Sequence, residues 1–170
     1  MQTGIEQLEP SDIAKIREVC GRVPVRSGED LILKGDTSDD LYIVADGSFK
    51  VYDDTLGEDF VHAILERGDI FGEMSFIDGM DRSASVKAIS DGTVLRMGKR
   101  EFDNLLASSP DTAMLFFFTL SRVIARRLRD VNVALRNMTF DGSEKGTEEV
   151  IRDVISQMRQ AVHIEIDGQT

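Results

Sequence analysis

The chain has 170 residues, 41% of them hydrophobic, and a formal net charge of −11. One domain plus an appendage is the expected organisation at that length, with enough apolar material for a real core. The acidic balance argues against general nucleic-acid binding, which needs a basic footprint, and a single cysteine, Cys20, excludes an intrachain disulfide.

Met1 to Pro10 is weakly patterned, although Thr3-Gly4-Ile5-Glu6 has the spacing of a capping box. Gln2 to Pro10 is polar and acidic, unlike a signal peptide, and no apolar run reaches the length of a transmembrane helix. A soluble, cytoplasmic protein without membrane contact is expected. Ser11 to Cys20 reads as a helix, with Ser11 as N-cap, Ile13, Ile16 and Val19 as its stripe, and Gly21 as its stop. Cys20 shares the helical spacing of Ile13 and Ile16, so it reads as a core residue.

From Val25 the pattern changes to short strands and turns. Leu31 to Lys34 is an apolar run closed by Gly35-Asp36. Leu41 to Ala45 is a strand, Asp46-Gly47 a hairpin signal, and Phe49 to Tyr52 alternates on the return. A second hairpin is expected around Leu56-Gly57, and Phe60 to Leu65 then runs into Gly68-Asp69. Ser83 to Ile89, a turn at Asp91-Gly92, and Thr93 to Met97 complete the strands. Short strands at this spacing point to a sandwich or jelly-roll barrel, a shell able to fold round a ligand.

Inside that series lies the stretch with the most chemistry, Phe71-Gly72-Glu73-Met74-Ser75 followed by Arg82-Ser83-Ala84-Ser85-Val86. Gly72 removes the β-carbon where backbone comes close to a ligand. Glu73 to Ile77 suits one turn of helix, whose first N–H groups favour a phosphate. Arg82 supplies a permanent charge and a rigid fork of donors for phosphate oxygens. Glu73 repels a phosphate and instead accepts hydrogen bonds from hydroxyls such as those of a ribose. With one arginine, no lysine and no metal-binding carboxylate cluster, a singly charged phosphate fits better than a triphosphate.

Lys99 to Ala107 returns to helical spacing, with Phe102, Leu105 and Leu106 on one face. Ser109 and Pro110 suit the N-cap and first position of a further helix, expected to run to about Asn137. Its apolar positions include Leu115, Phe118, Val123, Ile124, Leu128, Val131 and Leu135. Phe116-Phe117-Phe118 is wide for one buried stripe, so part of this helix is expected to face a second surface. Asp141 to Gly146 is a polar linker, and Thr147 to Ala161 reads as another amphipathic helix. The expected organisation is therefore an N-terminal helical segment 1–22, a binding domain 23–139 (barrel 23–98, helices 99–139) and a linker with C-terminal helix 140–170.

The pattern F-G-E-x-x-x…R-S-A-x-V resembles the phosphate-binding cassette of cyclic-nucleotide-binding domains, as found in cAMP receptor proteins and protein-kinase regulatory subunits. Gly35-Asp36, Leu41 to Val44, Asp46-Gly47, Val51-Tyr52 and Gly68-Asp69 stand in the order that family has. The resemblance runs from about Val25 to about Asn137. It implies an α+β fold, a jelly-roll barrel of about eight short strands with an N-terminal helix, a short cassette helix and C-terminal helices. It implies that Glu73 holds the ribose 2′-hydroxyl. Arg82 would hold the cyclic phosphate, with backbone N–H groups near Gly72 to Ser75 and at Ser83 and Ala84, and Phe71 and Met74 are expected among the ligand-binding residues. In the family the long helix often pairs in a dimer and covers the base. Here Arg126-Arg127-Leu128 is followed by Val131 and Asn132 near the positions where cAMP receptor proteins carry hydroxyls. Asn132 is either a contact to the base edge or an exposed helix residue.

These features imply a regulatory binding module, not an enzyme. Its ligand is cAMP or cGMP with cAMP favoured, it needs no metal, and it signals to an unknown protein partner through its C-terminal helices. A homodimer through the 110–137 helix is expected, and residues 140–170, with one credible helix, are not expected to form the helix-turn-helix of DNA-binding relatives. The alternative is a dimeric interaction scaffold that keeps the fold without the ligand. A metal-dependent cupin enzyme has a similar barrel, but His62 and His163 are far apart and lack metal-ligand spacing.

Overall fold

The computed structural model of the chain describes residues 8–53 and 60–139. The expected capping box at Thr3 to Glu6, the Leu56-Gly57 turn and the 147–161 helix lie outside them. Inter-residue contacts divide the chain into a unit of residues 1–126 and a unit of residues 127–170.

The first helix, α1, spans Pro10–Val19. Its N-cap is Glu9 and not Ser11, because Pro10 takes the first helical turn, where its missing N–H costs nothing. Cys20 then leaves the helix in an extended conformation, and Gly21 opens β1 (Gly21–Val25) instead of a turn. This strand begins before Val25, where the sequence pattern changes to short strands, and before 23, the expected start of the barrel. Pro24 masks it in the sequence and is tolerated because β1 is an edge strand.

The remaining strands are β2 (Asp30–Ile32), β3 (Leu41–Asp46), β4 (Phe49–Asp53), β5 (Phe60–Leu65), β6 (Ile70–Phe71), β7 (Ser85–Ala88) and β8 (Gly92–Met97). Between β6 and β7 lies α2 (Glu73–Asp78), and after β8 come α3 (Lys99–Ser108) and α4 (Pro110–Thr139). The strands form two antiparallel four-stranded sheets, ordered β1-β8-β3-β6 and β2-β7-β4-β5. This is the jelly roll of about eight short strands that the family resemblance implies.

Asp46-Gly47 does not close a hairpin: β3 and β4 belong to different sheets. Gly47, at φ 85°, turns the chain from one sheet to the other, and its missing β-carbon would stand 2.8 Å from the Asp91 carbonyl oxygen. The second expected hairpin does pair, with Phe49 opposite Leu65 and Asp53 opposite Phe60.

Packing explains the residue patterns. Tyr42, Val44, Phe71 and Val94 of one sheet meet Phe49, Leu65, Val86 and Ala88 of the other in the barrel interior. The opposite face of the first sheet, with Leu41, Ile43, Leu95 and Met97, packs against Ile16, Phe76, Leu105, Phe116 and Leu120 of the helices. Strand β3 is therefore covered on both sides, which is why Leu41 to Val44 reads as a continuous apolar run. Cys20 packs against the helical core, and burial pushes its thiol up to about 12, which makes it a packing residue and a poor nucleophile. On α4 the buried apolar positions are Ala113, Phe116, Leu120 and Val123, spaced three and four apart, with Thr112 and Thr119 buried beside them. Leu115, Phe117 and Phe118 are exposed, so the triple-phenylalanine run does present an outer face.

Candidate functional site

The cassette forms at a corner where backbone geometry leaves little freedom. Phe71 ends β6 inside the barrel, stacked on Tyr42 at 5.2 Å between ring centroids. Gly72 follows at φ 74°, a conformation that only glycine adopts without strain. A β-carbon there would lie 2.7 Å from Arg82 Nη1 and 2.8 Å from the Asp40 carbonyl oxygen. Gly72 thus lets Arg82 come against the start of α2.

Arg82 is 3% exposed, although it carries a full positive charge. Its Nε donates to Ser38 Oγ at 3.1 Å, Nη1 to the Gly72 carbonyl at 3.1 Å and Nη2 to the Asp40 carbonyl at 2.6 Å. These bonds use three of the guanidinium's five N–H donors. Every one of these acceptors is neutral, and among the described residues no carboxylate oxygen lies within ion-pair distance of Arg82. Burial lowers its pKa, and Tyr42, Asp40, Asp39 and Asp36 oppose that from a distance. Its backbone is fixed too, because its N–H donates to Asp36 O and its carbonyl accepts from Gly35 N–H, both at 2.8 Å. The Gly35-Asp36 turn and the cassette are therefore one structure.

Glu73 opens α2 and is 1% exposed. Its Oε2 accepts no hydrogen bond from the described residues, while the side chain has other interactions. Ser75 is buried in the same short helix, and Met74 is exposed. Ser83 is exposed with its Oγ 3.8 Å from the Met74 sulfur, and Ala84 is partly buried. Phe76 fixes the far side of α2: its ring meets Phe102 edge-on at 5.8 Å, and its carbonyl accepts from Lys99 Nζ.

The structure thus brings Phe71 to Ser75 and Arg82 to Ala84 into one corner. Asn132 lies on α4 within the 127–170 unit, partly buried. Sequence reasoning missed Ser38 and Asp40, two of the three acceptors that hold Arg82. Both lie more than forty positions away in the chain, at |i−j| = 44 and 42. Chemically, the corner offers a buried cation with spare donors, an acid beside it, and the first N–H groups of a helix, which have no partner within that helix. Among the described residues no group of three or more His, Cys, Asp or Glu is placed to hold a metal, and no helix is long and apolar enough to cross a membrane.

Similarity to known proteins covers the same region. The pattern of the cyclic nucleotide-binding domain family matches residues 22–109. The chain is 30% identical over 136 residues to the Cyclic AMP receptor protein of Thermus thermophilus, covering 79% of this chain and 60% of that protein. It is 30% identical over 102 residues to the cAMP-dependent protein kinase regulatory subunit of Emericella nidulans, covering 60% of this chain and 24% of that one. It therefore spans less than two thirds of either relative. The crystal structure of the Thermus thermophilus Catabolite Activator Protein superimposes with a TM-score of 0.68 at 29% identity, covering 79% of this chain and 62% of that one. A cyclic nucleotide-binding domain from Methylobacillus flagellatus shares the fold with a TM-score of 0.70 at 24% identity, over 81% of this chain and 77% of that one.

Proposed function

The chain belongs to the cyclic nucleotide-binding domain family, and from that premise we propose that it is a regulatory module whose ligand is cAMP. The observation that carries this reading is Arg82, a buried cation held by neutral acceptors with donors to spare. Burying a charge without a counter-charge is costly, and a singly charged cyclic phosphate supplies the missing partner. Backbone N–H groups from Gly72 to Ser75 and at Ser83 and Ala84 complete the phosphate site, and Glu73 accepts from the ribose 2′-hydroxyl. Phe71 supports the corner from the barrel side, and Asn132 is the residue on α4 to test for a base contact. The preference for cAMP over cGMP draws on the similarity to the Thermus cyclic AMP receptor protein and the Emericella cAMP-dependent kinase regulatory subunit.

The binding domain runs from Gly21, where β1 opens the barrel, to about 139, with the barrel closing at Met97. It acts by binding and not by catalysis, works in the cytoplasm, and needs no metal, nucleic acid or membrane. Its output is a movement of α3 and α4 that alters a partner surface. The outward face of α4, with Met114, Leu115, Phe117 and Phe118 exposed, supports a homodimer through residues 110–137. The same face favours a second reading, a dimeric scaffold that works without ligand.

Calorimetric titration with cAMP and then cGMP separates the two. Micromolar or tighter binding of cAMP, weaker binding of cGMP, and a loss on the order of 1.5–3 kcal/mol or more in Arg82→Ala are expected. No heat with either nucleotide, together with an unshifted melting temperature, leaves only the scaffold.

A further inference from the structure

Strand β8 carries an arginine outside the cassette, Arg96, an exposed residue paired directly across the ladder from Tyr42 and so on the same face of the sheet. Its Nε donates to Asp40 Oδ2 at 2.7 Å. The carbonyl of that same Asp40 accepts from Arg82 Nη2. Asp40 therefore has its main chain on one arginine and its carboxylate on the other. Tyr42 makes a second link, since it faces Arg96 across the ladder and its ring lies 6.0 Å from the Arg82 guanidinium carbon.

Two further features hold Asp40 in this position. The other carboxylate oxygen, Oδ1, lies against the chain at Gly98, where a β-carbon would stand 2.7 Å from it. Glu101 cannot take over Arg96 freely, because its Oε2 accepts from the Gly98 N–H at 3.1 Å and its Oε1 faces Arg100. The loop that ends at Asp40 also contains Asp36 and Asp39. Like charges so close repel, and Arg96 neutralises the one nearest the strand.

We infer that Arg96 is a positioning residue for the ligand site: by holding Asp40 and Tyr42 it sets the pose of the Arg82 guanidinium. The inference rests on the reading of Arg82 as the phosphate ligand. An exposed ion pair of this kind adds little to fold stability, so removing it leaves the protein folded while loosening the carbonyl that aims Arg82.

The test is a double-mutant cycle with cAMP as the titrant. Arg96→Ala is expected to weaken binding about fivefold to tenfold with little change in melting temperature, and to have no further effect in an Arg82→Ala background. Equal losses in both backgrounds, or wild-type affinity in Arg96→Ala, overturn the inference. A second arm uses the protein without nucleotide, reading the Arg82 Nε–H resonance by NMR. That proton is bonded to Ser38 and is expected to be shifted and slow to exchange in the wild type, and to lose both properties in Arg96→Ala. If the wild type binds neither cAMP nor cGMP, the proposed function falls and this arm alone decides: an Arg82 resonance unchanged by Arg96→Ala overturns the positioning role.

Discussion

Arg82 and Glu73 are buried in the barrel corner, while Leu115, Phe117 and Phe118 stand exposed on α4. Folding alone favours the reverse at both places. The buried charges are costly unless something balances them, and the exposed apolar side chains forgo burial worth about 1.5–3 kcal/mol each. At the corner the cost is met by an over-determined frame: Gly72, three acceptors for one guanidinium, and backbone bonds to the Gly35-Asp36 turn. On α4 no such frame is needed, because the inner stripe already secures the helix. The lesson is that the corner is committed to one geometry, whereas the helix face is a free surface.

Substitutions sharpen that contrast by size of effect. Phe116→Ala empties a fully buried site on the inner stripe and is expected to cost about 3–5 kcal/mol, read by urea denaturation. Gly72→Ala forces a strained backbone and a clash with Arg82. It should cost on the order of 1–3 kcal/mol in the same assay and weaken cAMP binding as well. A fully stable Gly72→Ala protein with normal affinity breaks the claim that the corner admits one geometry. Phe118→Ser, 65% exposed before substitution, should change stability by no more than about 0.5 kcal/mol. Its effect is expected in sedimentation, as a shift toward monomer; an unchanged sedimentation profile removes this face from the dimer.

The sequence made strands legible and their partners much less so. Alternation and turn residues mark each strand locally, but membership of a sheet is decided by packing across the barrel. Asp46-Gly47 carries the chemistry of a hairpin turn, yet Gly47 serves as a corner between sheets. Gly21 and Pro24 look like breakers, yet an edge strand accommodates both. At the site, the residue types within the cassette were readable because they are neighbours in the chain. Ser38, Asp40 and Arg96 were not, since their roles arise only when the loop before β3 and strand β8 come to the same corner. The cluster of acids after Gly35 was the available signal, and it needed a nearby cation to gain meaning.

The stacking of Tyr42 on Phe71 has a practical consequence. The chain contains two tyrosines and no tryptophan. Tyr42 lies against Arg82, and Tyr52 lies on the other sheet, bonded to Asp30 at 2.8 Å. Tyrosine emission from this protein therefore comes from two rings, one of them at the candidate site. A Tyr52→Phe variant would leave a single tyrosine, beside Arg82, so that nucleotide arrival is readable as a change in tyrosine emission from the unlabelled protein.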